Sequence, residues 1–190
     1  MKKTLTRSLL PLLFISCGIL AGCNGSQGNA EGDETPAATE AADALPEELQ
    51  GNVELDISEF GLPMVVRVPD ESRGVPEVIE QSWGETEVRV GGQFQLRIAF
   101  GGDVAAAKAD VQGDLARNTT IVEEGDNFFI YRWDYKDAEY IQSEFHFYLL
   151  QEVGGEVYEI QDVQGEETYS EAAVRVMFEA ARHVEAKPAS

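Results

Sequence analysis

Two pairs of glycines, each set inside a run of alternating apolar and polar residues, limit most strongly what this chain can fold into. Gly91-Gly92 divides the run "TEVRVGGQFQLRIAF", and Gly154-Gly155 divides "FHFYLLQEVGGEVYEI". A period of two is typical of strands with one buried face, and tight hairpin turns need the positive φ that glycine adopts without steric cost. The sequence therefore predicts two β-hairpins and, with them, antiparallel pairing.

Shorter apolar runs predict four more strands. The stretch "NFFIYRW" is the most informative of them, because it has apolar or aromatic residues on both faces of a strand. Such a pattern favours a central strand that is covered on both sides. The four predicted strands are Met64–Val68, 78–83, 120–122 and 128–133.

Two segments with helical periodicity interrupt and close the series of strands. The first, "GGDVAAAKADVQGDLARN", offers Asp103 as an N-cap and an apolar stripe that ends at Leu115, with Gly113 weakening its end. The second, "TYSEAAVRVMFEAARHV", matches a capping box from Thr168 to Glu171. Strands, a helix, more strands and a last helix predict an α+β domain over 53–185, with a mainly antiparallel sheet and two packed helices. The element order is similar to the PsbP-like fold, a resemblance that implies no functional residue.

Both cysteines of the chain lie in "LLFISCGILAGCN", which follows a start rich in Lys and Arg. The apolar run from Leu9 to Leu20 has the length of a signal-peptide core and is short for a membrane span, and Pro11 disfavours a straight helix. Cys17 would be discarded with the signal, which argues against a disulfide with Cys23.

Leu20-Ala21-Gly22-Cys23 resembles the lipobox of bacterial lipoproteins. The resemblance implies removal of the signal peptide 1–22, attachment of palmitate-type acyl chains to Cys23, and a partner in the membrane itself. Asn24 stands where an aspartate favours inner-membrane retention in Gram-negative lipoproteins. The resemblance therefore implies localisation in the cell envelope, at the outer membrane if the host is Gram-negative.

The mature chain is strongly acidic. The signal holds three of the 14 basic residues and none of the 35 acids, so the chain from Cys23 onward carries a formal charge of −24. Such a charge repels phosphate backbones and argues against nucleic-acid binding. Residues 23–52 have few large apolar side chains, which predicts an acidic disordered tether, and 186–190 are expected to form a flexible tail.

Histidine is the usual acid–base residue, and the chain has two. His183 lies near the end of the last helix, where a cation suits the helix dipole. His146 shares one strand face with Glu144 and Tyr148, and this row could bind a metal or move a proton. The interpretation we favour from the pattern is the solvated polar face of a half-covered strand.

The segment "FFIYRWDYKDAEY" concentrates aromatic residues, and its tyrosines Tyr135 and Tyr140 are typical of recognition surfaces. The interpretation we favour from the pattern is a core strand followed by a loop that carries tyrosines. No nucleophile motif or phosphate loop accompanies them. We therefore expect a non-catalytic binding or assembly role for an envelope protein or small-ligand partner, with no cofactor and no metal. The alternative is a small exported enzyme or metal-binding protein that uses the Glu144 and His146 face.

Overall fold

The computed structural model of the chain describes residues 45–135, 143–165 and 167–187. The predicted signal peptide, Cys23 and Tyr140 lie outside the described residues, as does most of the predicted tether. The described residues form two antiparallel sheets and two α-helices, which confirms the predicted α+β class.

A seven-stranded sheet with the strand order β3-β4-β5-β9-β8-β7-β6 forms the centre of the fold, and a three-stranded sheet has the order β1-β2-β10. Within the described residues, every strand pair of these two sheets is antiparallel. The strands are β1 (Val53–Asp56), β2 (Met64–Val68), β3 (Pro76–Glu80), β4 (Thr86–Val90), β5 (Phe94–Phe100), β6 (Arg117–Glu124), β7 (Phe128–Tyr135), β8 (Ser143–Val153), β9 (Glu156–Asp162) and β10 (Glu185–Ala186). The helices are α1 (Val104–Gly113) and α2 (Glu171–Arg182).

The glycine pairs turn the chain as predicted. Gly91 has a φ of 58° in the loop that joins β4 to β5. Gly154 and Gly155 have φ values of 64° and 90° in the two-residue turn between β8 and β9. Both hairpin predictions are confirmed, because the turn positions need a backbone conformation that glycine adopts most readily.

The N-cap predicted for α1 is confirmed, since one oxygen of Asp103 accepts the main-chain N–H groups of Ala105 and Ala106 at 2.9 and 3.0 Å. The prediction that Leu115 belongs to the apolar stripe of this helix is wrong. The helix ends at Gly113, and Leu115 lies beyond it with 88% of its surface exposed. Glycine is a poor helix former, so the helix stops before it can bring Leu115 onto its buried side.

The capping box predicted for α2 is wrong, because it places the N-cap at Thr168, two residues too early. The hydroxyl of Ser170, and not that of Thr168, caps the helix by accepting the N–H of Ala173 at 3.2 Å. Tyr169 is fully buried and packs in the main core. The chain up to Tyr169 is therefore held against the core, and the helix begins only after Ser170. The hydroxyl of Thr168 instead donates to Glu144 at 3.4 Å.

Each face of the large sheet is covered by its own helix and its own apolar core. The main core lies between one sheet face, α2 and the small sheet, and includes Val66, Leu96, Phe147 and Phe178. The second core lies between the other face and α1, which contacts β6, β7 and β8. This second core consists of Phe129, Tyr131, Trp133 and Tyr148, with partly buried neighbours on α1.

The aromatic strand β7 is therefore covered on both sides, as its sequence predicts. Phe128 packs against Phe178 of α2, with ring centroids 4.8 Å apart. Phe129 stacks on Tyr148 in the second core at 5.5 Å. The strand is one position in from the edge of the sheet, because only β6 lies outside it.

Residues on both sides of the predicted domain boundaries 53–185 take part in the fold. Leu49 is fully buried in the main core, although the prediction assigned it to the tether. At the other end, Ala186 pairs with Met64 in the small sheet. The strand predicted at 78–83 instead occupies Pro76–Glu80, and Trp83 lies in the following turn.

Neither of the two helices in the described ranges is long and apolar enough to cross a bilayer.

Candidate functional site

The strand face with Glu144, His146 and Tyr148 forms part of the second core, to which Tyr148 itself belongs, and the expectation that it is a solvated polar face is wrong. The ring of His146 is 1% exposed, and Tyr148 is buried as well. The face is closed because α1 packs over β7 and β8, and because the aromatic residues of β7 lie beside it in the sheet. The sequence pattern of one strand does not reveal what the next helix covers.

Asp162, which the sequence analysis did not single out, holds the imidazole of His146. Its Oδ2 lies 2.7 Å from Nδ1 of His146, and its Oδ1 accepts the main-chain N–H of Phe147 at 2.8 Å. The β8–β9 ladder ends at the pair Tyr148 and Gln161, so the carboxylate replaces the main-chain acceptor that the next rung would supply. An ionised carboxylate only accepts hydrogen bonds, so with Asp162 ionised Nδ1 of His146 is the donor in this contact.

A signal for Asp162 is present in the sequence. It follows Tyr158 and Ile160 at a spacing of two and so falls on their side of β9. That side is buried, and Asp162 itself has 0% of its surface exposed. An acid at a buried strand position requires a partner, which is a reason to look for one.

The other nitrogen of the His146 ring faces Glu144. Nε2 lies 3.6 Å from Oε2 of Glu144 and has no hydrogen-bond partner within the described ranges. The hydroxyl of Tyr135 donates to the same oxygen at 3.0 Å. Partial burial and the neighbouring carboxylate of Glu144 raise the pKa of Tyr135. The fold thus brings three of the predicted site residues together, Glu144, His146 and Tyr135.

Aromatic rings enclose the imidazole. The ring of Trp133 lies 4.4 Å from that of His146 and the ring of Tyr131 lies 5.2 Å from it, measured between centroids. The guanidinium of Arg117 lies 3.8 Å from the centroid of the Trp133 ring, a cation–π contact on the side of β6. Burial, followed by the charge of Asp162, raises the pKa of Tyr131 well above its ordinary value. A substrate would have to displace these groups to reach Nε2.

Tyr148 belongs to a different part of the same face. Its hydroxyl donates to Oε2 of Glu159 at 2.8 Å and accepts the main-chain N–H of Asp103 at 3.0 Å. This contact ties the start of α1 to the sheet. Burial and the carboxylate of Glu159 raise the pKa of Tyr148, so its hydroxyl stays protonated over the physiological range.

A cleft of about 400 Å³ opens beside Tyr148, between α1 and the sheet. We call it the α1 cleft. Tyr131 and Phe129 contribute to its aromatic wall and Ala106 to its helical wall. Its polar lining includes Arg97, Asp103, Asp110, Glu159, Gln161 and Gln164. Phe129 and Tyr131 are each only 1% exposed, so the polar groups and Ala106 supply most of the surface that a ligand in this cleft could contact.

A larger depression of about 680 Å³ lies at the N-terminal end of α2, beside Arg73, Gln93 and Ser170. None of the predicted site residues lines it. Among the described residues, no three His, Cys, Asp or Glu side chains form a group able to hold a metal ion.

No family model, no curated protein and no solved structure matches this chain.

Proposed function

We propose that this chain is a lipid-anchored protein of the cell envelope whose domain binds a partner or small ligand without catalysing a reaction. The observation that carries the binding role is the α1 cleft, where Arg97, Glu159 and Gln164 lie along an aromatic wall. The exposed residues Asp103, Ala106 and Gln164 line this cleft, whereas the ring of His146 is enclosed. A ligand can contact these exposed residues while the second core stays packed, whereas a substrate at His146 cannot.

The anchor in this proposal is Cys23, on the basis of the lipobox-like Leu20-Ala21-Gly22-Cys23. Acyl chains contribute about 0.8 kcal/mol per buried methylene, and several chains together give stable membrane attachment. The position of Asn24 supports the outer membrane as the site of attachment in a Gram-negative host. The mature charge of −24 supports a partner other than nucleic acid.

Metabolic labelling with a palmitate analogue tests the anchor. Label is expected in the wild type and in Cys17→Ser, and is expected to be lost in Cys23→Ser. Cys17→Ser is the matched control because it changes the other cysteine of the same apolar run. Label that persists in Cys23→Ser would remove the lipoprotein proposal. Recovery mainly with the inner membrane on a sucrose gradient would contradict the outer-membrane assignment alone.

Site-specific photocrosslinking tests the cleft. A photoreactive phenylalanine replaces Ala106, which lines the α1 cleft, or Ala109, an exposed residue of the same helix outside the cleft lining. A binding role predicts one defined adduct in whole cells at position 106 and none at position 109. Equal crosslinking at both positions, or an adduct at position 109 alone, would contradict binding in the cleft.

A second candidate function, an exported enzyme or metal-binding protein, is favoured by one contact. The 2.7 Å approach of Asp162 to Nδ1 of His146 resembles the pairing of an orienting acid with a general base. Nε2 of His146, which would do the chemistry, is buried against Trp133 and Glu144.

Diethyl pyrocarbonate distinguishes these functions, because the chain has only two histidines and His183 is partly exposed. The binding proposal predicts that His183 is modified in the native protein and that His146 reacts only after unfolding, as measured by peptide mass spectrometry. Modification of both at comparable rates would favour the enzyme.

A further inference from the structure

The large sheet has two edges, and they differ in how they are protected. At one edge, β6 contains a register irregularity between Ile121 and Glu123. Glu123 pairs with Arg175 of α2 at 3.0 Å, and Glu124 pairs with Lys108 of α1. Bulges and covering helices are common devices that prevent a sheet edge from pairing with another chain. The β6 edge is protected in this way.

The other edge, β3, pairs regularly with β4 along all five of its residues. It has no strand partner on its outer side within the described ranges. The N–H of Gln81 donates to the carbonyl of Glu85, which continues the same register. Because inward and outward hydrogen bonds alternate along an antiparallel strand, Glu77 and Ile79 bond toward β4. Val78 and Glu80 then direct their N–H and C=O groups outward.

Exposed apolar side chains lie at both ends of this edge. Val75 precedes β3 and is 75% exposed, and Trp83 lies in the turn after it and is 68% exposed. Tryptophan is among the residues most enriched at the energetic centres of protein interfaces. A strand that pairs with the outward main-chain groups of Val78 and Glu80 can therefore also pack against Val75 at one end and Trp83 at the other.

The charge of the edge indicates the kind of strand that fits it. Glu77 and Glu80 are exposed on β3, and the mature chain as a whole is strongly acidic. A second copy of the chain would bring the same acids to the same edge, and like charges directly opposite each other destabilise strand pairs. A basic strand has complementary charge.

We propose that the β3 edge binds an extended segment of a partner protein with alternating basic and apolar side chains, which adds to the sheet as an eighth strand. Main-chain hydrogen bonds to Val78 and Glu80 hold the segment, and its basic side chains lie on the sheet face of Glu80, because alternate side chains of a strand share one face. This site is separate from the α1 cleft, since the cleft reaches no nearer than Arg97 on β5 and β4 lies between β5 and β3. A negative result for binding at the β3 edge therefore does not affect the proposal for the α1 cleft, and the reverse also holds.

The test uses the full mature chain and a capped seven-residue peptide in which lysine and valine alternate. Two control peptides replace valine by proline, which keeps the charge and prevents strand pairing, or lysine by glutamate. Amide hydrogen exchange followed by NMR maps binding on the wild type. Slower exchange is expected at Val78 and Glu80 with the lysine–valine peptide and with neither control.

Two variants at one position separate the hydrogen bond from the charge. Glu80→Pro removes an outward donor without removing a β3–β4 hydrogen bond, and is expected to weaken peptide binding about fivefold. Glu80→Gln keeps the donor and is expected to weaken binding only about twofold, in a salt-dependent way. Circular dichroism checks that both variants keep the fold of the wild type.

Three outcomes would overturn the assignment. The first is equal binding of the lysine–valine and lysine–proline peptides, which would mean attraction by charge alone. The second is protection of amides elsewhere than on β3. The third is a dimer in sedimentation that Glu80→Pro abolishes, which would assign the edge to a second copy of the chain.

Discussion

Replacement of Asp162 by alanine is expected to destabilise the domain by about 3 kcal/mol. The carboxylate accepts from Nδ1 of His146 and from the N–H of Phe147, and all of these groups are buried. A buried donor that loses its acceptor costs about 1–3 kcal/mol, and here two donors lose theirs. Folding of the variant no longer requires desolvation of the Asp162 carboxylate, and this gain offsets part of the loss. The net loss of unfolding free energy is therefore near ~3 kcal/mol, the lower end of the range for a broken buried ion pair.

Asp162→Asn separates the acceptor from the charge. The asparagine Oδ1 still accepts the N–H of Phe147, and His146 can change its tautomer so that Nδ1 accepts from the new amide. The proton would then lie on Nε2, which faces Glu144. This variant is expected to lose only about 1–2 kcal/mol, because one hydrogen bond weakens and no buried donor is abandoned.

Urea unfolding of the mature chain, followed by circular dichroism, measures both effects as shifts of the midpoint at unchanged slope. Asp110→Ala is the control, because Asp110 is exposed on α1, and it is expected to change the stability by no more than about 0.5 kcal/mol. A loss below about 1 kcal/mol for Asp162→Ala would refute the role of the carboxylate as a ladder acceptor. Equal losses for Asp162→Ala and Asp162→Asn would show that the charge, and not the acceptor, is what the fold requires.

Three further predictions concern the core, the termini and a turn. Phe178→Ala is expected to cost about 3–5 kcal/mol of unfolding free energy in the same urea assay, because the ring is buried against two other aromatic rings. A hydrogen bond from Lys187 lowers the pKa of Asp56 from 3.8 to about 2, so its contribution to stability is present above pH 4 and is lost as the pH falls toward 2. Lys187→Met is expected to raise that pKa toward 3.8 in an NMR titration, and an unchanged value would contradict the contact. Gly91→Ala is expected to cost more in thermal unfolding than Gly154→Ala, since both have similar positive φ but a Cβ at 91 would lie 2.6 Å from a main-chain oxygen; equal melting temperatures would contradict this.

The sequence by itself determined the turns, helix caps and strands whose conformation depends only on residues within a few positions along the chain. Gly154 and Gly155 turn a hairpin because of their own backbone freedom. Asp103 caps α1 because its carboxylate reaches N–H groups two and three residues along the chain. The two-sided apolar pattern of β7 predicts burial on both faces wherever the strand lies in the sheet. Each of these outcomes follows from a short stretch of residues.

Tertiary structure alone decided the surroundings of the candidate site. Asp162 meets His146 across a gap of 16 residues, at the point where two strands stop pairing. Whether the His146 face is solvated or enclosed depends on where α1 packs, and helical periodicity does not say which sheet face a helix covers. Leu49 enters the main core for a similar reason, since the segment that carries it packs against α2, far along the chain. The free energy of these contacts arises only when distant segments meet, and no local pattern of residues encodes which segments those are.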